Sequence, residues 1–475
     1  MTLPSTVHQL LTEYRRRTVS PVEVVQAHLD RIDRFDPVLN AFTVVDREGA
    51  VAAARRAESL LAAEADGGPP AGDLAGVPLT VKDIVNQEGF PCTDGSAVTS
   101  DEPAGQDCPS VARLREAGAV ILGRTTTPEF GWKGMTDSPR FGITRNPWDL
   151  DHTPGGSSGG AAAALTAGIG VVAHGSDGGG SIRIPSSYCG LVGLKPTFGR
   201  VPQAPVGSPF TTLVAEGPLA RTVEDAALLL NVLSRPDIRD WHAVPHDPRD
   251  WRIGINDGLA GLTVAYSETF GGAEVQPDVL AACRAVVDQL SDAGVRVVEV
   301  GSVIEPLRPK LEGYWKAGFA SILNGIPSDR WDELDPGFRT LAQEGMGFDV
   351  HGMTAAQTAR ADLVETMRRF HLDHDVLLTP TMPTPPPPVD TIYHSAAFDR
   401  WHHAVPFTVP FNYSGQPAAS VPAGFSASPA LPIGLQVVAT LYREDLVLRA
   451  ARAILDITGW SWSAREPGQQ AEPQT

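Results

Sequence analysis

The chain is poor in cysteine, has no excess of basic charge and contains no apolar run long enough for a membrane-spanning helix. Its four cysteines, Cys92, Cys108, Cys189 and Cys283, include no Cys-x-x-Cys pair. Reduced thiols in a cytoplasmic protein are therefore expected, without a disulfide framework or a zinc site. A formal net charge of −18, with no basic stripe, disfavours nucleic acid and anionic membrane surfaces as partners. The apolar stretches fall short of the roughly 20 residues a bilayer requires. Arg15–Arg17 would suit a twin-arginine signal, but TVSPVEVV follows where an apolar segment belongs, so export is not expected. There is no internal repeat. Glycine (47) and proline (41) are, by contrast, abundant, as a large sheet with many tight connections requires.

What is present is concentrated between Pro154 and Pro185, PGGSSGGAAAALTAGIGVVAHGSDGGGSIRIP. Two glycine-flanked serine sites, Ser157/Ser158 and Ser181, bracket an apolar run that reads as buried helix followed by buried strand. Glycines beside a serine let backbone N–H groups approach a small anion closely. An acyl-transfer site needs that arrangement, a hydroxyl nucleophile next to a preorganised oxyanion cradle. The composition of GGSSGG alone would suit a flexible linker, but its flanks are core-like rather than polar. A phosphate-binding loop would place a lysine before Ser181, and a dinucleotide fingerprint would place an acidic residue about 20 positions on. GLKPTFGRVP follows instead.

The second element is Lys82. In AGVPLTVKDIV, residues 75–85, Val77, Leu79 and Val81 alternate with Pro78, Thr80 and Lys82, the pattern of a strand. A lysine ending such a strand is either a solvated edge residue or a buried base, and lysine is rarely buried without a partner. The histidines, several of them late in the chain (His371, His374, His394, His402, His403), are not spaced for a Ser-His-Asp or Cys-His set, and no Gly-x-Ser-x-Gly elbow accompanies them. A serine hydrolase without a histidine base needs another one, and a desolvated lysine serves. At an ordinary pKa near 10.4 the amine would be charged at neutral pH, so the site must depress it.

These motifs resemble the amidase signature family of Ser–cis-Ser–Lys hydrolases. The resemblance runs through GVPLTVKD, GRTTTPEFGW, FGITRNPWD, PGGSSGGAAAAL, GSDGGGSIRIP, CGLVGLKPTFGRVP and GPLARTVEDAALLL. It continues more weakly in DVLLTPT, FNYSGQPAASVPAG and LPIGLQVVA, so it spans nearly the whole chain. It implies Lys82 as base, Ser157 with a cis peptide as proton relay and Ser181 as nucleophile. The backbone N–H groups of Gly178, Gly179, Gly180 and Ser181 would form the oxyanion hole. Ser158 is expected as a structural hydroxyl beside the site, with Asp177 and Arg183 as an ion pair or hydrogen-bond frame holding the loop rather than as proton carriers. Gly178 departs from the family, which often has threonine or isoleucine there, and should loosen the floor of the cradle. No metal or cofactor is implied.

Three functional classes compete. The first is a stand-alone amidase cleaving an amide, anilide or carbamate (urethane), and EFGWKG with TDSP resembles the general bacterial amidases. The second is the glutaminase subunit of a tRNA-dependent amidotransferase, where a glutamine is expected at the position of Ile184. The third is a non-catalytic binding homologue, disfavoured because all three catalytic positions are filled. The partner would be a small-molecule substrate, with a homodimer left open.

The expected fold is α/β: a large mixed, mostly parallel twisted sheet covered by helices on both faces, in a single domain over 1–475. N-terminal helices would occupy about 1–70, the signature core about 71–234, a substrate-shaping and C-terminal part about 235–465, and a polar tail 466–475. Ser20 to Glu23 forms a capping box with proline at the first helical position, opening a helix with Val24, Val25, Leu29 and Ile32 on one face. Further helices are predicted over about 46–65, Pro109–Ala117 and Thr222–Leu233, and a strand over Ala119–Arg124. Phe198–Pro218 reads as a lid over the site or an ordinary surface loop. Thr381–Pro388 reads as a polyproline-like surface crossing or pocket rim, and the chain beyond about Ser461 as an unordered tail. Phe130, Trp132, Phe141, Phe210, Trp315, Phe319, Phe411 and Tyr413 are pocket candidates for an apolar or aromatic group, though each suits a core equally.

Overall fold

Ser20 does what its spacing predicts. Its hydroxyl accepts from the Glu23 N–H while the Glu23 carboxylate accepts from the Ser20 N–H, and helix α2 (Pro21–Leu39) follows a shorter α1 (Val7–Arg16). In the computed structural model, which describes residues 4–204, 210, 212–306, 309–391 and 404–468, the other expected elements also form. Helices α3 (Arg47–Ala65) and α4 (Pro109–Glu116) lead to α5 (Gly159–Thr166) and α6 (Arg183–Cys189). α7 (Val223–Leu233) starts at Thr222, whose hydroxyl accepts from the Asp225 N–H.

One sheet of 11 strands gathers β1 (Phe42–Val45), β2 (Pro78–Lys82), β3 (Val120–Thr125), β6 (Val172–Asp177), β7 (Val192–Lys195) and β8 (Ala215–Ala220) with five later strands. These are β9 (Thr263–Tyr266), β10 (Arg296–Glu299), β11 (Val376–Pro380), β12 (Ala418–Phe425) and β13 (Pro432–Ala439). A separate small pair, β4 (Asp137–Ser138) and β5 (Gly142–Ile143), lies outside it. The order is β1-β3-β2-β6-β8-β7-β12-β13-β11-β9-β10.

The sheet is mixed, but the parallel majority expected from the sequence needs correction. Parallel pairing is confined to β3-β2-β6 and β11-β9-β10, and every other neighbouring pair is antiparallel. The reason is visible at β8. The crossover from β6 through α6 to β7 leaves a vacant place between two strands of the same direction, and β8 fills it antiparallel to both.

Strand alternation divides the core between the two faces. Leu79, Val81, Ile121, Val172, Ala419 and Leu435 pack with α1, α4, α7 and the C-terminal helix Glu444–Thr458. Val120, Leu122 and Ala173 point the other way, against α2, α3, α5 and α6. On that face, farther along the sheet, α9 (Pro309–Asn324), α10 (Pro336–Gly345) and α11 (Val350–Asp373) add an aromatic-rich cluster; α8 (Pro277–Asp292) lies on the first face.

Two further expectations change. The chain after Ser461 is not loose as far as residue 468: the Arg465 N–H donates to Thr166 O at 3.0 Å, and its guanidinium lies over the Trp148 ring. The stretch Thr381–Pro388 is half-buried rather than a surface crossing or rim, because it straps onto the chain leading into the serine turn, with Thr153 N–H donating to Pro387 O. Residues 205–209 and 211 of the candidate lid, His394, His402, His403 and residues 469–475 of the tail lie outside the described residues. Among the described residues no helix is long and apolar enough to cross a membrane.

Candidate active site

Lys82 ends β2, and Ser176 and Asp177 end β6. The two strands are parallel neighbours, with Leu79 beside Val172, so their carboxyl ends open at the same place, where sites form in α/β sheets. α5 packs over both strands, and the turn before it, Gly155–Ser158, hangs over their ends. Lys82 Nζ donates to Ser157 Oγ at 2.7 Å and to Ser176 Oγ at 3.0 Å. The Gly156–Ser157 peptide is cis. Lys82 itself has no exposed surface, while Ser157 and Ser176 both line the cavity in front of it. Burial pulls its amine down to about 7, although Asp177, Asp94 and Glu216 oppose the shift.

Ser181 stands apart from its surroundings. From Thr153 to Thr197 every other residue is buried, and Ser181 alone retains appreciable exposure. The loop carrying it is held from below by Asp177. That carboxylate accepts from the N–H groups of Gly180 at 2.8 Å and Ile182 at 3.2 Å, and pairs with the Arg183 guanidinium at 2.8 Å. Arg183 also donates to Thr408 O, Gln436 Oε1 and Asn412 Oδ1. Burial would raise the Asp177 pKa, but Arg183 outweighs it and holds the carboxyl well below the usual range.

This frame corrects the expected oxyanion cradle. The Gly180 N–H donates to Asp177 at 2.8 Å and is not free for a substrate oxygen. Among the described residues the N–H groups of Gly178, Gly179 and Ser181 have no protein acceptor. Ser158 holds the two serine segments together, its N–H donating to Ser181 O at 3.1 Å and its hydroxyl to Ser176 O at 3.3 Å.

Comparison with known proteins shows the family. A model of the family described as Amidase matches residues 23–448. The chain is 36% identical over 449 residues to an acylamidase of Rhodococcus erythropolis, with 93% of each chain covered. It is 37% identical over 475 residues to a glutamyl-tRNA(Gln) amidotransferase subunit of Salinispora tropica, with 93% of this chain and 94% of that one covered. It superposes on a bacterial aryl acylamidase of the amidase signature family with a TM-score of 0.89, at 28% identity, over 98% and 99% of the two chains. The chain belongs to the amidase family. It is accordingly an amide-hydrolysing enzyme.

The cavity of this amidase holds about 630 Å³. Ser157, Ser176, Gly178 and Ser181 line it from the signature core. The motif-poor region expected to shape substrate binding contributes Trp315 and Ile322 from α9. Of the aromatic candidates, Phe130, Phe210 and Trp315 reach the cavity. Trp132, Phe319, Phe411 and Tyr413 are core, and Phe141 lies beneath the Arg140 guanidinium.

Several residues of the site escape a reading of the sequence. Ser176 carries a signal in hindsight, since it lies one residue before Asp177 on the strand facing Lys82. Asn412 lies in FNYSGQPAAS, a stretch the resemblance covers without assigning a role. Asp94 and Glu216, which both line the cavity, have no local pattern to mark them. Glu216 comes opposite Ser176 only through the β6–β8 register, and one of its oxygens lies 2.9 Å from His174 Nε2.

Proposed function

We propose that the chain hydrolyses the C–N bond of an amide, anilide or carbamate through an acyl-enzyme on Ser181. The observation that carries this reading is the 2.7 Å contact between Lys82 Nζ and Ser157 Oγ, with the amine sealed from the cavity behind that serine. A base so placed cannot touch substrate and must receive its proton through a hydroxyl. Ser181 Oγ attacks the carbonyl carbon, its proton passes to Ser157, and the Ser157 proton passes to neutral Lys82. The carbonyl oxygen gains a negative charge and meets the N–H groups of Gly178, Gly179 and Ser181. The proton then returns along the same path to the leaving nitrogen, the amine departs, and water repeats the sequence on the ester to release the acid (from a carbamate, the carbonic half-ester, which loses carbon dioxide to give the alcohol).

The glutaminase reading is weaker on charge. Glutamine brings an α-carboxylate, and no lysine or arginine lines the cavity among the described residues. The test uses the purified chain without any amidotransferase partner. A serine-directed phosphonate should label Ser181 and stop turnover of a simple anilide, and Ser181→Ala should abolish both. Label on Ser157 or Ser158, or turnover only in the presence of amidotransferase partners, would overturn the reading.

A further inference from the structure

Asp94 is a carboxylate facing the substrate cavity without a partner to match its charge. It is half-buried and lines the cavity that holds Ser157 and Ser181. The only hydrogen bond to its side chain among the described residues comes from the Cys92 thiol at 3.9 Å, too long and too weak to satisfy an ionised carboxylate. The backbone here is firmly placed. Asp94 O accepts from the Phe130 N–H at 2.7 Å, and a side chain on the next residue, Gly131, would come within 3.2 Å of Ser157 Oγ. Asp94 thus lies beside the segment that abuts Ser157, and both line one cavity.

The charges around Asp94 are committed elsewhere. Arg124 pairs with Asp83 at 2.6 Å, both fully buried. Lys82 donates to its two serines and forms no ion pair among the described residues. Glu216, the other charged residue lining the cavity among those described, is acidic too and engages His174. A substrate thus meets net negative charge and no cation, and a desolvated carboxylate without a partner is costly unless something neutralises it.

We propose that Asp94 is a substrate-recognition carboxylate, and that the amides this enzyme takes carry an ammonium group that docks on it while the carbonyl sits at Ser181. The proposal rests on the amidase reading of the cavity and specifies its substrate class as basic amino amides. Burial, with Asp83 adding to it, raises the Asp94 carboxyl to about 7, while Arg124 and Lys82 pull it down. Asp94 also helps to keep Lys82 protonated, so an ammonium that neutralises Asp94 makes the base easier to deprotonate. Binding and catalysis are thereby linked.

The test compares two isosteric pairs, 4-(aminomethyl)benzamide against 4-ethylbenzamide and 6-aminohexanamide against heptanamide. Affinity is measured by calorimetry on Ser181→Ala, so no turnover is needed. At pH 8.5 at least one cationic amide should bind about tenfold or more tightly than its neutral partner, a difference of about 1.4 kcal/mol or more. Asp94→Asn, which suits the left-handed backbone at this position (φ +49°), should erase the preference, and so should lowering the pH to 5.5. Neutral amides that bind as well in both pairs, a preference that survives Asp94→Asn, or no binding of either cationic amide would overturn the proposal. Ammonia release by the wild-type enzyme is followed separately. Its absence alongside an Asp94-dependent binding preference would overturn the amidase reading and leave the recognition site standing.

Discussion

Gly178 and Trp315 fit one another. A Cβ placed on Gly178 would lie 2.6 Å from Cη2 of Trp315, and the indole is backed by Phe210, whose ring centroid is 4.4 Å away, and by Phe319. The space that a side chain at position 178 would fill is occupied by a residue from α9, far along the chain. The absence of a side chain at Gly178 therefore does not loosen the cradle, because an aromatic ring closes it.

A first prediction follows from this fit. Gly178→Ala should push the indole into the cavity and raise KM for an aryl amide by roughly tenfold, the scale of a 1–3 kcal/mol overpacking. Trp315→Leu in the same chain should recover part of the loss. A double-mutant cycle in KM measures the coupling, and simple additivity would show that the two residues act separately.

The pH profile should report Lys82. Its folded pKa is lowered to about 7, so the neutral base forms as pH rises through that value and kcat should climb on an acid limb near 7. Ser176 accepts a hydrogen bond from the amine, which favours the charged form. Ser176→Ala should therefore move the limb to lower pH. Lys82→Met should reduce kcat by about two to four orders of magnitude, the scale of a lost proton-transfer partner.

Stability should respond in the opposite sense at that position. A buried lysine whose pKa is depressed is charged more readily when unfolded, so it destabilises the fold fully below about pH 7 and not at all above its unfolded value near 10.4. Lys82→Met should raise Tm at pH 6 and change it little at pH 10.5, as followed by circular dichroism.

The neighbouring serines separate by role. Ser157→Ala removes the only hydroxyl that both lines the cavity and contacts Lys82 from the turn, and should cost about two to four orders of magnitude in kcat. Ser158→Ala, whose hydroxyl bonds to a backbone carbonyl, should cost tenfold or less and act through a lower Tm. Steady-state rates and melting curves on the two variants distinguish these outcomes.

Asp177 should matter most for the fold. Asp177→Asn leaves the fully buried Arg183 guanidinium without its counter-charge and should destabilise by about 3–5 kcal/mol. In the native chain the contribution of this carboxylate is present above its unfolded pKa near 4 and is lost as pH falls below it. Denaturant titrations at pH 7 and pH 3 should therefore show a smaller difference between wild type and variant at the lower pH.

What the sequence determined by itself is local chemistry. Ser20, Glu23 and Pro21 mark the start of a helix because a capping box is closed within one turn, and Thr222 does the same for α7. The alternation around Val77–Lys82 specifies a strand and places Lys82 opposite the valines and leucine, because side-chain direction repeats every two residues. The ordered glycine–serine motifs were enough to identify the family. Tertiary structure decided what depends on partners distant in the chain. The insertion of β8 between β6 and β7 sets Glu216 beside Ser176, and no nearby pattern encodes that register. Lys82 became a hidden amine instead of a solvated edge residue because β2 lies inside the sheet between β3 and β6 and the serine turn closes over its end. Arg183 found Thr408, Asn412 and Gln436 more than two hundred residues away, and Trp315 came to rest on Gly178. Those contacts arise from the packing of separate elements, and there the shape and charge of the cavity are set.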